Sequence, residues 1–151
     1  MKHALALVGA LALAPILPQG AAAQDIMTDA SQKSVDATVD QLVSAIEGAG
    51  ATVFAVVDHG AGAKEVDMDI GNSKLVIFGN PQVGTPAMMD NRQAGLFLPM
   101  KVLVYEDAAG IVTVAYEDPM ALTALEGISE DAEYLGKMQG ALKKLTGAAV
   151  E

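Results

Sequence analysis

The spacing of apolar residues predicts two amphipathic helices, one near each end of the chain. Ser34 is a typical N-cap, and Asp36 in the first turn favours the helix dipole. Gly48 or Gly50 would end this helix. Its buried stripe consists of Val35, Val39, Leu42, Val43 and Ile46. The second helix is predicted to begin near Ser129, with acidic residues at its start and lysines near its end. Its buried stripe consists of Leu135, Met138, Leu142 and Leu145.

Between these helices, runs of β-branched and aromatic residues predict strands at 52–58, 74–78, 101–106 and 111–116. The first run is apolar throughout and predicts a buried strand. Residues 107–110 are typical of a hairpin turn. Thr85 followed by Pro86 has the pattern of an N-cap and a first helical residue, which predicts a short helix over 87–93. Asp118-Pro119 ends the last strand and leads into a short helical stretch that reaches Leu125.

Two segments stay open at this level. Residues 24–33 are polar and predict a linker or a short edge strand. Residues 61–70 fit two structures, because 61–66 suit a short helix while 65–70 alternate as an exposed strand does. Together the elements predict an α+β domain with a mostly antiparallel sheet and helices packed on one face.

The first residues are typical of a secretory signal peptide. A short basic start precedes an apolar stretch, and Ala21-Ala22-Ala23 is a small-residue cleavage site. The alternative, a membrane anchor, is disfavoured because the apolar run is short and contains Pro15 and Pro18. We therefore expect a signal peptide over 1–23, a single domain over 34–128, a C-terminal helix over 129–151 packed on that domain, and a periplasmic or secreted protein.

Charge and composition narrow the function. The chain has a net charge of −10 and no cysteine. An acidic protein repels phosphate backbones and anionic lipid, so we expect no nucleic-acid partner and no membrane contact after signal cleavage. Thiol catalysis and cysteine-ligated metals are excluded because the residue is absent.

The segment between the second and third strands carries a concentration of backbone-restricting residues. The structural residues of this loop are Gly79, Pro81, Gly84, Pro86 and Pro99. Its glycines have the spacing of a phosphate-binding loop, but no lysine follows the second glycine, which argues against nucleotide hydrolysis. A helix that begins after Thr85 would still favour a small anion. Alternatively, Asn80 and Thr85 only satisfy the backbone of their own loop.

Few side chains offer catalytic or metal chemistry. His59, next to Asp58, is the candidate acid or base, although neighbouring strand residues point to opposite faces of a sheet. A purely structural histidine is the alternative. Soft thioether ligands for copper(I) would come from Met68, Met88, Met89 and Met120, which otherwise fill gaps in a core.

The chain also resembles the bacterial and archaeal family of domains of unknown function numbered 302 (DUF302). The resemblance covers about 34–125 and rests on Asp58-His59, Gly79-Asn80-Pro81, Gly84-Thr85-Pro86, Leu98-Pro99 and Tyr116-Glu117-Asp118-Pro119. It implies a curved antiparallel sheet with helices, of the TATA-box-binding-protein class, and it favours a helix over 61–66. It implies no established activity. The chain departs from the family at Phe97, where an acidic residue is usual, and at Leu125-Glu126, where an Arg-His pair is frequent.

These observations favour a non-enzymatic domain that binds a small molecule or a protein partner, as a monomer or a homodimer. The candidate ligand-binding residues are His59, Asn80, Thr85 and Met88, and no cofactor is predicted. One alternative is a small enzyme that uses His59 as acid or base, with an anion held at Asn80 and Thr85. The other is a copper or haem accessory protein. All of these readings depend on the loop forming a pocket against the sheet.

Overall fold

The computed structural model describes residues 26–151 and shows an antiparallel sheet with helices. The predicted signal peptide and its cleavage site lie outside these residues. The strands are β1 (Ile26–Ser31), β2 (Thr52–Asp58), β3 (Ser73–Gly79), β4 (Met100–Glu106) and β5 (Val112–Glu117). The α-helices are α1 (Val35–Gly48), α2 (His59–Glu65), α3 (Pro81–Asp90) and α4 (Glu133–Val150), and the 3₁₀ helices are η1 (Arg92–Leu96) and η2 (Pro119–Ala124).

The five described strands form one sheet in the order β1-β5-β4-β3-β2, and every neighbouring pair is antiparallel. The predicted α+β class is therefore confirmed. β4 occupies the centre, while β1 and β2 form the two edges. The 24–33 segment thus contains an edge strand, one of the two structures that its sequence allowed. Asp107 closes the β4–β5 hairpin, because its Oδ1 accepts from the backbone N–H groups of Ala109 and Ile111 at 2.8 and 2.9 Å.

Helices α1 and α4 cover one face of the sheet and build the main core. Alternate strand residues point toward these helices, as the two-residue period of a strand requires. The fully buried strand residues of this core are Val76, Phe78, Val102, Val104 and Val114. They pack against the predicted stripes of both helices, represented by Leu42, Ile46, Leu142 and Leu145.

The start of α1 agrees with its sequence. Ser34 is the N-cap, and its Oγ accepts from the backbone N–H of Ala37 at 3.3 Å. Behind it, the hydroxyls of Ser31 and Thr38 form a buried hydrogen bond of 2.8 Å. This bond joins edge strand β1 to α1 and satisfies two polar groups that would be costly to bury alone.

Several local predictions are corrected. Strand β2 has the predicted bounds, but it is an exposed edge strand, because among the described strands only β3 pairs with it. For residues 61–70, which the sequence left open, the helix favoured by the family resemblance is the structure that forms: α2 spans residues 59–65, and residues 67–70 form no strand. Helix α4 begins at Glu133 rather than near Ser129, after an N-cap residue, Ala132, whose side chain has no capping group.

A second, smaller core lies beside one end of the sheet. It is formed by α3, η1, η2 and the first half of α4. Its buried members are Ala87, Ala94, Leu122, Ile128, Tyr134, Leu135 and Met138. This core positions the glycine- and proline-rich segment that follows β3.

Candidate functional site

The segment after β3 forms a helix earlier than its sequence suggested. Asn80 is the N-cap of α3, and its Oδ1 accepts from the backbone N–H of Gln82 at 2.9 Å. Pro81 then occupies the first helical position, where the missing N–H costs nothing. The predicted start at Thr85-Pro86 is therefore wrong, because both residues lie inside α3. The interpretation of Pro81, Gly84 and Pro86 as loop residues is corrected with it, and Gly79 is the last residue of β3.

The chain returns to the sheet through η1 and the Leu98-Pro99 pair, whose peptide bond is cis. Asn91 caps η1 by accepting from the N–H of Gln93 at 2.8 Å. Lys101 supports the return, since its ammonium group donates to the carbonyl of Phe97 at 3.0 Å. Helix α3 and this return segment therefore form two opposing walls.

A cavity of about 250 Å³ lies between these walls. Phe54 of β2 and Met138 of α4 complete its boundary. The lining residues are Phe54, Gly79, Asn80, Pro81, Val83, Gly84, Thr85, Met88, Leu98, Pro99, Met100 and Met138. Four of the five loop residues named from the sequence line the cavity, and Pro86 is the exception. The central expectation of a hollow between this segment and the sheet thus agrees with the structure.

The lining is apolar, with Asn80 and Thr85 as the only polar side chains named in it. The Asn80 oxygen is already used as the α3 cap. Met88, Met100 and Met138 each contribute a polarisable thioether, which favours contact with aromatic rings. Phe54 adds an aromatic ring, and this residue is 56% exposed. Such a cavity suits a small apolar or aromatic molecule better than an anion.

Phe54, Met100 and Met138 were not anticipated from the sequence. The sequence around Phe54 is apolar and predicts a buried strand. The register between β2 and β3 shifts between Val53 and Ala55, which leaves Phe54 at an irregularity of the ladder. Its ring passes 3.4 Å from the place where a side chain on Gly79 would begin. The Phe54 ring therefore lies beside Gly79, at the end of the sheet that holds the cavity.

His59 does not belong to this site. In the β2–β3 register Thr52 lies opposite Gly79, whereas Asp58 lies opposite Lys74. His59 therefore begins α2 at the other end of β2, roughly 20 Å along the strand from the cavity end. The prediction that His59 converges with Asn80 and Thr85 is wrong, because a full strand length separates them. The enzyme alternative loses its shared acid–base and anion site for the same reason.

Asp58 serves α2 and β3 rather than the imidazole. Its Oδ1 accepts from the backbone N–H of Ala61 at 2.7 Å, and its Oδ2 lies 3.5 Å from the Lys74 ammonium. The Ala61 hydrogen bond, and then the charge of Lys74, lower the pKa of Asp58. The same ammonium lies 2.6 Å from Asp36 of α1, so it joins α1 to the end of β2.

The four methionines considered for copper do not form one set. Met88 lines the cavity and Met120 packs on the smaller core, while Met68 and Met89 are 65% and 72% exposed. Within residues 26–151, no three His, Cys, Asp or Glu side chains are grouped as metal ligands would be. Over the same residues, no helix is long and apolar enough to cross a bilayer.

The family model described as "Domain of unknown function DUF302" matches residues 27–145. The chain belongs to the DUF302 family. The match includes the sheet, the cavity walls and most of α4. Among DUF302 structures, the crystal structure of an uncharacterised conserved protein from Bacillus stearothermophilus has the same fold, with a TM-score of 0.74. The two sequences are 19% identical, and the alignment covers 84% of this chain and 99% of that one.

Curated relatives of this DUF302 chain are longer proteins. "Fluoride-specific ion channel FluC 1" of Brucella suis biovar 1 (strain 1330) is 38% identical over 117 residues, which is 76% of this chain and 46% of that protein. "Fluoride-specific ion channel FluC 2" of Brucella melitensis biotype 1 has the same identity and length of match, with 43% of that protein covered. The chain thus spans less than half the length of these relatives.

Proposed function

We propose that this DUF302 chain is a periplasmic or secreted, non-enzymatic domain that binds a small apolar molecule, preferably an aromatic one. The observation that supports the proposal is the apolar cavity between α3 and the Leu98-Pro99 segment. The signal-like N-terminus of the chain supports the periplasmic or secreted location. An engineered protein cavity of about 150 Å³ binds benzene, so a volume of about 250 Å³ is sufficient for a fused two-ring molecule.

The contacts explain the preference for an aromatic ring. Sulfur atoms bind the edges of aromatic rings, and three lining residues present them. Phe54 adds an edge or a face at the boundary, where ring pairs contribute beyond their buried area. A charged ligand would lose its hydration without a charged partner, because no charged side chain is among the lining residues.

The test uses indole and naphthalene as probes, with the protein labelled at its methionine methyl groups. Binding in the cavity should shift the NMR signals of Met88, Met100 and Met138 and leave the exposed Met68 and Met89 unchanged. For about ten heavy atoms we expect a Kd on the order of 0.1–1 mM. Equal shifts at exposed and cavity methionines, or no shift up to the solubility limit, would contradict the proposal.

A cavity-filling variant provides the matched comparison. A side chain on Gly84 would begin 3.5 Å from Leu98, so Gly84→Leu should occupy the cavity and abolish binding. Gly140→Leu makes the same change on an exposed part of α4 with open space around it, so it should leave binding intact. Loss of binding in both variants would point to a general effect on the fold.

A second candidate function follows from the relatives. Because they carry the matching region within proteins named as ion channels, we infer a domain that works with a membrane channel as its partner. The chain itself suits fluoride poorly, since its net charge of −10 repels anions. Deletion of its gene should lower the fluoride concentration that the host tolerates, and re-expression should restore it. Unchanged tolerance would remove this candidate.

A further inference from the structure

The sheet has a second face, away from α1 and α4, that we call the open face. The strand registers and the two-residue alternation give its side chains. They are Ile26, Thr28 and Ala30 of β1, Thr52, Ala55 and Val57 of β2, Ser73, Leu75 and Ile77 of β3, Lys101, Leu103 and Tyr105 of β4, and Thr113, Ala115 and Glu117 of β5. We propose that this face is the interface of a homodimer, in which the sheets of two copies stack on each other.

The apolar side chains of the central strands favour a second layer of protein packed on the open face. An antiparallel sheet with one solvated face normally alternates between apolar and polar residues. The middle of strands β3 and β4 is instead apolar on both faces, because Leu75, Ile77 and Leu103 lie on the open side. Leu75, Ile77 and Leu103 retain partial exposure, and neither hydrophobic core of the described chain includes them. The two helices that build the main core with the sheet, α1 and α4, both pack on the other face.

The dimensions of the face match those of a dimer interface. Five strands about 4.8 Å apart, each six or seven residues long, give a surface of roughly 24 by 20 Å. Treated as flat, two such faces bury on the order of 1,000 Å² together, and the protruding side chains add to this area. That area reaches the lower limit for a specific interface. Sheets that pack face to face align within about 30° and leave about 10 Å for interdigitating side chains.

The charge distribution favours a second copy over other occupants. A chain with a net charge of −10 repels an identical chain at most of its surface. Within the five described strands, the open face carries one cation, Lys101, and one carboxylate, Glu117, both at the same end. The open face is therefore neutral overall, so it adds no repulsion between two copies. An anionic lipid surface would instead be repelled by the net negative charge of the protein.

Leu103 lies near the middle of the interface, since it is the central residue of the central strand. It pairs with Leu75 on one side and with Ala115 on the other. A lysine at this position would place two like charges between the stacked sheets of a symmetric dimer. Desolvated positions at the centre of an interface are those at which substitutions cost most.

Sedimentation equilibrium of the exported protein tests the inference. The native chain should have twice the monomer mass at micromolar concentrations, and Leu103→Lys should associate at least ~30-fold more weakly. Leu96→Lys is the matched control, because Leu96 is 81% exposed on η1, outside the sheet, and it should leave the dimer intact. Circular dichroism verifies the fold of each variant. If Leu103→Lys fails to fold, Thr113→Lys tests the same face at a partly exposed polar position.

A mixed sample of labelled and unlabelled chains identifies the contact. Isotope-filtered NMR should show contacts between the Leu103 methyls of one copy and the Leu75 or Ile77 methyls of its partner. A monomer at all concentrations, or a dimer that Leu103→Lys and Thr113→Lys leave unchanged, would overturn the inference. So would a monomer that sediments with vesicles of zwitterionic lipid, since a membrane would then be the occupant.

Discussion

At the scale of single residues, Tyr134 connects the start of α4 to the end of α3. Its hydroxyl donates to Oδ2 of Asp90 at 2.8 Å, while its ring is buried in the smaller core. Tyr134→Phe keeps the ring and removes the hydrogen bond, so we expect a loss of about 1 kcal/mol in the free energy of unfolding at neutral pH. Urea unfolding of both proteins measures this difference.

The stability difference between the native protein and Tyr134→Phe should also depend on pH. Burial, and then the hydrogen bond to Asp90 and its charge, raise the pKa of Tyr134 to about 12. Because the folded state holds this proton more tightly, the stabilisation is complete below the ordinary pKa of 10.0 and is lost as the pH rises toward 12. The difference in stability between the native protein and Tyr134→Phe should therefore narrow over that interval. A constant difference would contradict the assignment.

Asp58 makes the opposite prediction at acid pH. Its pKa is lowered, chiefly by the hydrogen bond from Ala61 and then by Lys74, so its carboxylate stabilises the fold above the ordinary pKa of 3.8. That contribution is lost as the pH falls below 3.8 through the lowered value. Asp58→Asn keeps an oxygen that can cap α2 and removes the charge. We expect it to be less stable than the native chain at pH 6, with the difference disappearing in strong acid.

The urea midpoint between pH 2 and 6 measures this effect, within the range where carboxylates titrate. Asp40→Asn is the control, because Asp40 is an exposed carboxylate on α1. At pH 6 its urea midpoint should lie closer to that of the native protein than the midpoint of Asp58→Asn does. Equal behaviour of the two variants would show that the Ala61 and Lys74 contacts of Asp58 contribute nothing specific.

At the scale of elements, α4 contains glycines that serve no packing purpose. A side chain on Gly136 or Gly140 would meet open space, and both residues lie in the helix interior. The combined change to alanine should raise the free energy of unfolding by about 1–2 kcal/mol, because glycine is a weaker helix former than alanine by up to 1 kcal/mol. Urea unfolding checks the gain.

Gly60 in α2 is the control for that prediction. A side chain there would begin 2.6 Å from the carbonyl oxygen of Gly71, so Gly60→Ala should destabilise the protein although it also replaces a helical glycine. Helix propensity alone predicts a gain in all three positions. A higher free energy of unfolding for Gly60→Ala would mean that the close approach of α2 to the start of β3 leaves room for a side chain.

A helix start could be predicted from the sequence where one capping residue stood out, and could not where two competed. α1 has one N-cap, Ser34, and one apolar stripe, and its start was predicted correctly. α3 has two pairs of N-cap and proline, at Asn80-Pro81 and Thr85-Pro86, and local rules do not choose between them. Packing of Val83, Ala87 and Met88 on the smaller core stabilises a helix that includes both pairs. Likewise, an apolar run predicts a strand but does not reveal that β2 lies at an edge.

At the scale of the whole molecule, the cavity was only partly predictable. The glycine- and proline-rich segment indicated one wall, and Asn80, Thr85 and Met88 do line the cavity. The other contributors come from β2, β4 and α4, which are distant in sequence and meet there only in the fold. His59 was placed wrongly because a residue at the end of a strand gives no information about which end of the sheet holds the pocket.

The net charge of the molecule makes a prediction about the proposed dimer. Two chains of −10 repel each other at long range, while the open face contributes apolar contact that salt does not screen. Raising the NaCl concentration shortens the Debye length from about 30 Å at 0.01 M to about 10 Å at 0.1 M. The dimer should therefore dissociate several-fold less readily at the higher salt, as sedimentation equilibrium would show. A dimer held mainly by ion pairs would instead dissociate more readily as the salt concentration rises. Weaker association at 0.1 M NaCl would therefore argue against stacked sheets. Leu103→Lys should associate more weakly than the native chain in both conditions, because reduced repulsion cannot replace the apolar contact that the lysine removes.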